Sequence, residues 1–302
     1  MKASFAALVL LSAPGCGDSD GAGGGSDAAV AARPSPAFAK AARNFDAGRA
    51  FADLRRQVAI GPRPAGSRGN RREVRLIKRR LRAAGVENVR VQRSYRNVVA
   101  RIPGRGRGTM LVGAHHDTKK GIPGFVGAND GASGVAVLLE IARVMPQRLP
   151  GRSLTLVFFD AEEARGNRSF LEDGIRGSRQ FVRYARDGGR QGSPRLGAIR
   201  ALYLLDMVGD CRLRIPREGN SSPGLYKRLR GPPFGGETED LTDDHVPFRD
   251  AGVPAVDVID FDYGPGPRPG AWWHTPQDTL GRVCPDSLGK VGKAVVRALG
   301  TL

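Results

Sequence analysis

The segment Leu154-Thr155-Leu156-Val157-Phe158-Phe159 is an almost unbroken apolar run. A strand with one solvated face alternates apolar and polar residues, whereas a strand that is apolar at successive positions is buried on both faces. The run therefore predicts a sheet covered by helices on both sides, an α/β fold. Further β-like runs at Val89–Gln92, Asn97–Ile102, Met110–Ala114, Leu202–Leu205 and Ala255–Ile259 alternate with helical stretches at Ala132–Val144, Ser178–Arg186, Pro247–Ala251 and Ser287–Leu299. That order predicts a mostly parallel mixed sheet with helices on both faces. Upstream, Ala37–Ile60 has helix-like apolar spacing, and Gly61-Pro62-Arg63-Pro64-Ala65-Gly66-Ser67 breaks it. Arg71–Ala84 reads as an amphipathic helix, with Val74, Ile77 and Leu81 inward and arginines outward, stopped by Gly85.

The 302-residue chain can bury a full α/β core, and no composition break divides it after residue 36. Residues 1–16 read as an export signal: Lys2, the apolar run Phe5–Leu11, then Ser12-Ala13-Pro14-Gly15-Cys16. Small residues before a cysteine resemble the lipobox of bacterial lipoproteins; ordinary signal cleavage is the alternative. Residues 17–36, rich in Gly, Ser, Asp and Ala, read as a flexible tether, leaving 37–302 as one domain. The expectation is an exported protein, lipid-anchored to the cell envelope through Cys16 or secreted. Such a compartment permits Cys211 and Cys284 to pair. Beyond residue 20 no run approaches the roughly 18 apolar residues of a membrane-spanning helix, so a membrane would be reached only through that anchor. The sequence does not state an oligomeric state.

The net charge is +18, yet only eight of the 48 basic residues are lysine, and the arginines are spread over nearly every segment. A nucleic-acid binder would cluster them on one motif or face, and no zinc-finger, helix-turn-helix or RNA-binding signature accompanies them. The charge reads as a basic surface, with no nucleic-acid partner expected.

Ionisable groups instead gather where apolar strands end. Leu111-Val112-Gly113-Ala114 runs into His115-His116-Asp117, Phe158-Phe159-Asp160-Ala161 into Glu162-Glu163, and Leu204-Leu205 into Asp206, while Trp272-Trp273 precedes His274. Open α/β sheets build their sites beyond the carboxyl ends of their strands. Between the first two segments, Gly127-Ala128-Asn129-Asp130-Gly131-Ala132-Ser133-Gly134 forms a small-residue loop that opens a helix. Each piece has a plain alternative: Asp130-Gly131 alone is a turn, and a Glu pair is usually solvated. Imidazoles and carboxylates together, with no catalytic Ser or Cys motif, favour a zinc site.

The ordered set resembles the zinc exopeptidases of metallopeptidase family 28, which also contain the glutaminyl-peptide cyclotransferases. It spans Gly61-Pro62-Arg63, His115-His116-Asp117-Thr118, Ala128-Asn129-Asp130-Gly131, Glu162-Glu163, Asp206-Met207-Val208-Gly209, Asp244-His245 with Pro247-Phe248, and Trp273-His274-Thr275. The resemblance implies that Asp130, Glu163 and His274 hold zinc, with His115 and Asp206 holding a second ion where one is present. It further implies Glu162 as general acid/base, Asp117 as the carboxylate orienting His115, and Trp273 and Trp272 as walls of the substrate pocket. Peptide or protein N termini are the implied partners.

Two chemistries compete within the family. Aminopeptidases activate a water against the first peptide bond; glutaminyl cyclases close an N-terminal Gln on its own amine and release ammonia. Phe158–Ala164, the thirteen residues between Glu163 and Gly177, and the doubled Asp243-Asp244 tilt the chain toward the cyclase branch. Asp243 would join Glu162 and Asp206 in a proton-holding network. Animal cyclases, however, place a tryptophan in the link after the Glu pair, where Arg165–Arg176 has none. They also carry a histidine where this chain has Asp257, and both positions contribute to their pocket. Outside the enzymes, a tethered zinc- or peptide-capturing lipoprotein would show ligands without a catalytic carboxylate, and Glu162 speaks against it.

Overall fold

Successive residues of a strand point to opposite faces of its sheet, so each apolar strand here must feed two cores. In the computed structural model, which describes residues 33–302, the helices are α1 (Pro36–Asn44), α2 (Ala47–Val58), α3 (Arg68–Ala83), α4 (Ser133–Val144), α5 (Phe170–Asp173), α6 (Arg176–Arg186), α7 (Pro223–Tyr226), α8 (Val246–Arg249) and α9 (Pro285–Leu299). The strands are β1 (Asn88–Val91), β2 (Val98–Ile102), β3 (Thr109–His115), β4 (Ser153–Phe159), β5 (Ile199–Asp206), β6 (Ile215–Arg217), β7 (Phe234–Glu237) and β8 (Ala255–Ile259). Six of them form one sheet in the order β1-β2-β4-β3-β5-β8, and β6 pairs with β7 apart from it. β4, β3, β5 and β8 run parallel, while β1 and β2 complete one side antiparallel. The expected mostly parallel mixed sheet is the one that forms.

Leu154, Leu156 and Phe158 of β4 join Val112, Ala114, Tyr203 and Leu205 in a core shared with α1, α2, α3, α4 and α9. Val157 and Phe159 face the other way, with Leu111, Leu202 and Leu204, against Phe181 of α6 and Phe248 of α8. Helix α4 is buried at nearly every position because it lies between the sheet and the outer helices α2 and α9.

The stretch Ala37–Ile60 is two helices rather than one. Asp46 caps α2 by accepting a hydrogen bond from Arg49 N at 3.1 Å, and Asp46 N donates to Glu140 Oε1 at 2.9 Å. Apolar spacing continues across that break, so periodicity alone does not reveal it. Ser35 N donates to Gly300 O at 3.0 Å and Pro36 opens α1, so the last residues of the expected tether belong to the folded body. The expected signal, Cys16 and the rest of the tether up to residue 32 lie outside the described residues. Cys211 and Cys284 form a disulfide that ties the loop after β5 to the start of α9. Among the described residues no helix is long and apolar enough to cross a membrane.

Candidate metal centre

The parallel strands β4, β3 and β5 are neighbours, so the loops leaving their carboxyl ends converge. Buried polar clamps then fix those loops. Asp117 accepts from Glu162 N at 3.1 Å and Glu163 N at 3.3 Å, joining the ends of β3 and β4. Asn129 Oδ1 accepts from Gly209 N at 2.7 Å and Ser133 Oγ from Val208 N at 3.0 Å, joining the Asp130 loop to the end of β5. Gly134 permits that approach, since a Cβ there would lie 2.2 Å from Leu205 O. Asp278 accepts from Asn129 N at 2.8 Å, Asp130 N at 3.0 Å and the Tyr263 hydroxyl at 2.7 Å, fastening the His274 segment to the Asp130 loop. Ala161, Met207 and His274 take left-handed backbone, with φ of 57°, 47° and 51°. Such residues cost on the order of 1 kcal/mol or more and persist where the surroundings hold them. Here the sharp turns separate the side chains of neighbouring residues.

Asp130 sits between two imidazoles. Its Oδ1 is 3.2 Å from His115 Nε2 and its Oδ2 is 3.3 Å from His274 Nε2. His115 Nε2 lies 3.1 Å from Asp206 Oδ1, and His274 Nε2 lies 2.9 Å from Glu163 Oε1. Two donor triplets result, Asp130–Glu163–His274 and His115–Asp130–Asp206, each with ligand atoms within 4.8 Å of one another. Ligand atoms at the corners of a zinc tetrahedron stand about 3.3 Å apart, given bonds of about 2.0–2.1 Å. The imidazole–carboxylate contacts, at 2.9 to 3.3 Å, are close to that length.

The donors also need a cation. Asp130 Oδ2 and Glu163 Oε2 are buried without a hydrogen bond, having only the ion-pair contacts to His274 and Lys119. Lys119, its ammonium 3.5 Å from Glu163 Oε2, is the one lysine or arginine lining the cleft among the described residues. Burial alone would lower the His274 pKa, but Asp130 and Glu163 raise it to about 9. His115 is likewise pushed down by burial yet carried well above the usual range by Asp206, Asp117 and Asp130. A mixed nitrogen and oxygen donor set of this size suits zinc.

Burial holds the Glu162 carboxyl well above the usual carboxylate range, reinforced by Glu163 and Asp243 against an opposing pull from His115. Asp243 is raised to about 6, by burial first and then by Asp206. Both line, with Asp206, a cleft of about 330 Å³ whose apolar walls are Phe170, Leu241, Ile259, Phe261 and Trp273. The Trp273 ring stacks on His274, with centroids 3.8 Å apart, and meets the edge of Phe261 at 5.4 Å.

One sequence expectation needs correction, and two departures from the animal cyclases take their place in the structure. Trp272 does not line the cleft: it packs edge-on against Tyr263 at 5.5 Å, with the Arg282 guanidinium 4.2 Å above its ring. The link after the Glu pair lacks a tryptophan but is not without an aromatic wall, because α5 carries Phe170 into the cleft. Asp257 contributes nothing to the wall; it is fully buried behind it. Phe170 stood out as the lone aromatic of an arginine-rich link and was open to being found. Asp278, Lys119 and Phe261 carry no comparable signal.

The pattern that defines Peptidase family M28 matches residues 97–299. The glutaminyl-peptide cyclotransferase of Bos taurus is 29% identical over 244 residues, 66% of this chain and 64% of that protein. Aminopeptidase YwaD of Bacillus subtilis (strain 168) is 28% identical over 203 residues, 63% of this chain and 40% of that protein. The chain thus spans less than two thirds of the length of these two relatives. The crystal structure of an Acidobacteriales bacterium glutaminyl cyclase superimposes with a TM-score of 0.73 at 32% identity, covering 84% of this chain and 94% of that one. The family match runs from β2 to the end of α9 and takes in every residue of both donor triplets, so the chain belongs to Peptidase family M28.

Proposed function

We propose that the protein is an exported, zinc-dependent glutaminyl-peptide cyclotransferase, converting N-terminal Gln of peptides to pyroglutamate with release of ammonia. The observation that carries this reading is the cleft. An aromatic-walled space of about 330 Å³ closes over protonatable carboxyls beside a three-donor metal site, suited to one neutral side chain folded back on its own amine. The similarity to the bovine and bacterial cyclases supports the same choice.

Zinc held by Asp130, Glu163 and His274 would act as a Lewis acid toward the side-chain amide. Glu162 takes a proton from the N-terminal amine as its nitrogen bonds to the amide carbon. It returns that proton to the nitrogen that departs as ammonia. Asp243 and Asp206 keep the shuttled proton within a buried network. Phe170, Phe261 and Trp273 exclude the water that would compete with a nucleophile already on the same residue.

The complete His115–Asp130–Asp206 triplet favours a second reading, a two-zinc aminopeptidase. Mass spectrometry separates the two, because cyclisation subtracts ammonia and shortens no peptide. The purified enzyme is expected to convert Gln-initiated peptides in this way while retaining about one zinc, the minimum for a site of this donor set. Removal of one residue from Leu- or Ala-initiated peptides, with Gln peptides left uncyclised, would establish the aminopeptidase instead.

A further inference from the structure

Helix α3 carries eight basic residues and a single acid, Glu73, which is buried on its inner face. At about 100° per residue, Arg68, Arg72, Arg75, Arg79 and Arg82 fall within an arc of roughly 80° and form a straight stripe about 21 Å long. All five are exposed. Asp53 of α2 is taken by Arg56 at 2.9 Å and Arg80 at 2.8 Å, and among the described residues no carboxylate pairs with any member of the stripe. Elsewhere on the surface arginines meet acids: Arg217 pairs with Glu237 at 2.8 Å and Arg268 with Asp262 at 2.7 Å. Like charges three and four residues apart weaken a helix. The stripe therefore works against the helix that carries it.

The stripe also borders a groove of about 420 Å³ between α2 and α3. Arg56, Arg72, Arg75 and Arg79 line it together with Ile60 and Leu76, and no acid does. Guanidinium groups bind phosphate oxygens through paired N–H donors. An apolar surface between them suits the acyl stem attached to a lipid phosphate, a part that free phosphate lacks. A straight row on one helix face also meets a plane along its whole length, whereas the phosphates of a duplex wind away from it.

We propose that the arginine stripe of α3, with its groove against α2, is a docking surface for anionic phospholipid headgroups that lays this side of the folded body on a membrane. The contact is separate from the anchor expected at Cys16 and needs no membrane-spanning segment. It rests on neither the metal site nor the reaction.

The test is co-sedimentation of the full chain, carrying Cys16→Ser so that no lipid can be attached, with vesicles of phosphatidylglycerol and phosphatidylcholine. Pure phosphatidylcholine vesicles give the contribution of everything but charge. Binding to the anionic vesicles should be tighter, and the excess should vanish between about 0.1 and 1 M salt, as the screening length falls from about 10 to about 3 Å. An arginine near an anionic bilayer contributes about fivefold to partitioning, so Arg72→Gln, Arg75→Gln and Arg79→Gln together should weaken the excess about a hundredfold. Glutamine is a good helix former at exposed positions, and circular dichroism checks the fold. Should the triple variant not fold, Arg75→Gln alone replaces it, with a loss of about fivefold. The control is Arg183→Gln, Arg186→Gln and Arg190→Gln, which removes the same charge at α6, packed on the opposite face of the sheet from α3. Its binding should change less than about threefold, since those charges lie beyond a screening length from the bilayer. Equal losses in the two triple variants would mean that net charge alone attracts the protein, and would overturn the proposal. No excess on anionic vesicles, or an α3 variant that binds as wild type, overturns it too. Tighter retention on a random-sequence DNA duplex than on the vesicles at the same salt, lost in the α3 variant, would assign the stripe to nucleic acid instead.

Discussion

Glu162 and Glu163 are adjacent and buried, yet their surroundings set them different tasks. Glu163 points at His274 and Asp130, where a carboxylate is useful only when ionised. Burial raises both carboxyls; at Glu163 the hydrogen-bonded His274 opposes the rise, while Glu162 lines the cleft beside Asp243, which adds to it. Glu162→Gln should keep fold and zinc but lower turnover by about a hundredfold or more, since the amide cannot accept and return a proton. Near wild-type turnover in metal-loaded variant would end that assignment. Asp130 serves both triplets, so Asp130→Ala should remove all bound zinc and all activity together, whereas a loss confined to one of two ions would mean the triplets act separately. His115, Glu163 and Asp206 stand out in the sequence at the ends of apolar strands and Asp130 at a tight loop opening a helix, but their roles as donors, and that of His274, came from the family resemblance. Trp272 and Trp273 were not separable, because neighbours in an irregular segment carry no periodicity that says which one faces the substrate. Asp278 was invisible for another reason: an acid that accepts backbone N–H groups has no motif of its own.

At the scale of elements, α3 shows what amphipathic spacing conveys and what it hides. The spacing places Val74, Ile77 and Leu81 inward, but it also turns Glu73 into the core, where neither oxygen has a donor. Burial raises Glu73 to about 7, against a partly compensating attraction from the buried Arg63. Arg63 is spent elsewhere, donating to the carbonyls of Val126 at 2.7 Å and Gly127 at 3.0 Å and so shaping the loop that carries Asp130. For an acid with a raised folded pKa, the unfolded chain loses its proton first as pH rises. Stability should therefore decline from about pH 4.5 to about 7 and remain lower above that. Glu73→Gln should match wild type near pH 5 and exceed it at pH 8 by about 3 kcal/mol at most. Chemical denaturation at the two pH values checks this, and an equal effect at both would show that ionisation is not the cause. The strands of the main sheet were legible because their two-faced burial leaves continuous apolar runs. β6 and β7 were not, since Ile215–Arg217 and Phe234–Glu237 are too short to show a pattern and β7 is largely exposed.

At the scale of the molecule, two kinds of cross-link hold distant segments together. The disulfide spans 73 residues between Cys211 and Cys284. Loop-closure entropy for that span gives about 4 kcal/mol, so replacing both cysteines by serine should lower unfolding stability by up to that amount. An unchanged denaturation midpoint would mean that the unfolded chain is already compact across this region. The other cross-link is the set of hydrogen bonds from Asn129, Asp130 and Tyr263 to Asp278, which locks two ligand-bearing segments together without using the ion itself. The expectation is that a bound cation is a removable part and not a staple of the fold. Protein stripped by a chelator should keep its near-ultraviolet circular dichroism and recover full activity within the time of mixing with zinc. A lag of minutes would mean that the segments must refold around each incoming ion. Without such a lag, the protein can be emptied and refilled at the pace of ligand exchange, and its working state in a zinc-poor environment follows the supply of metal from moment to moment.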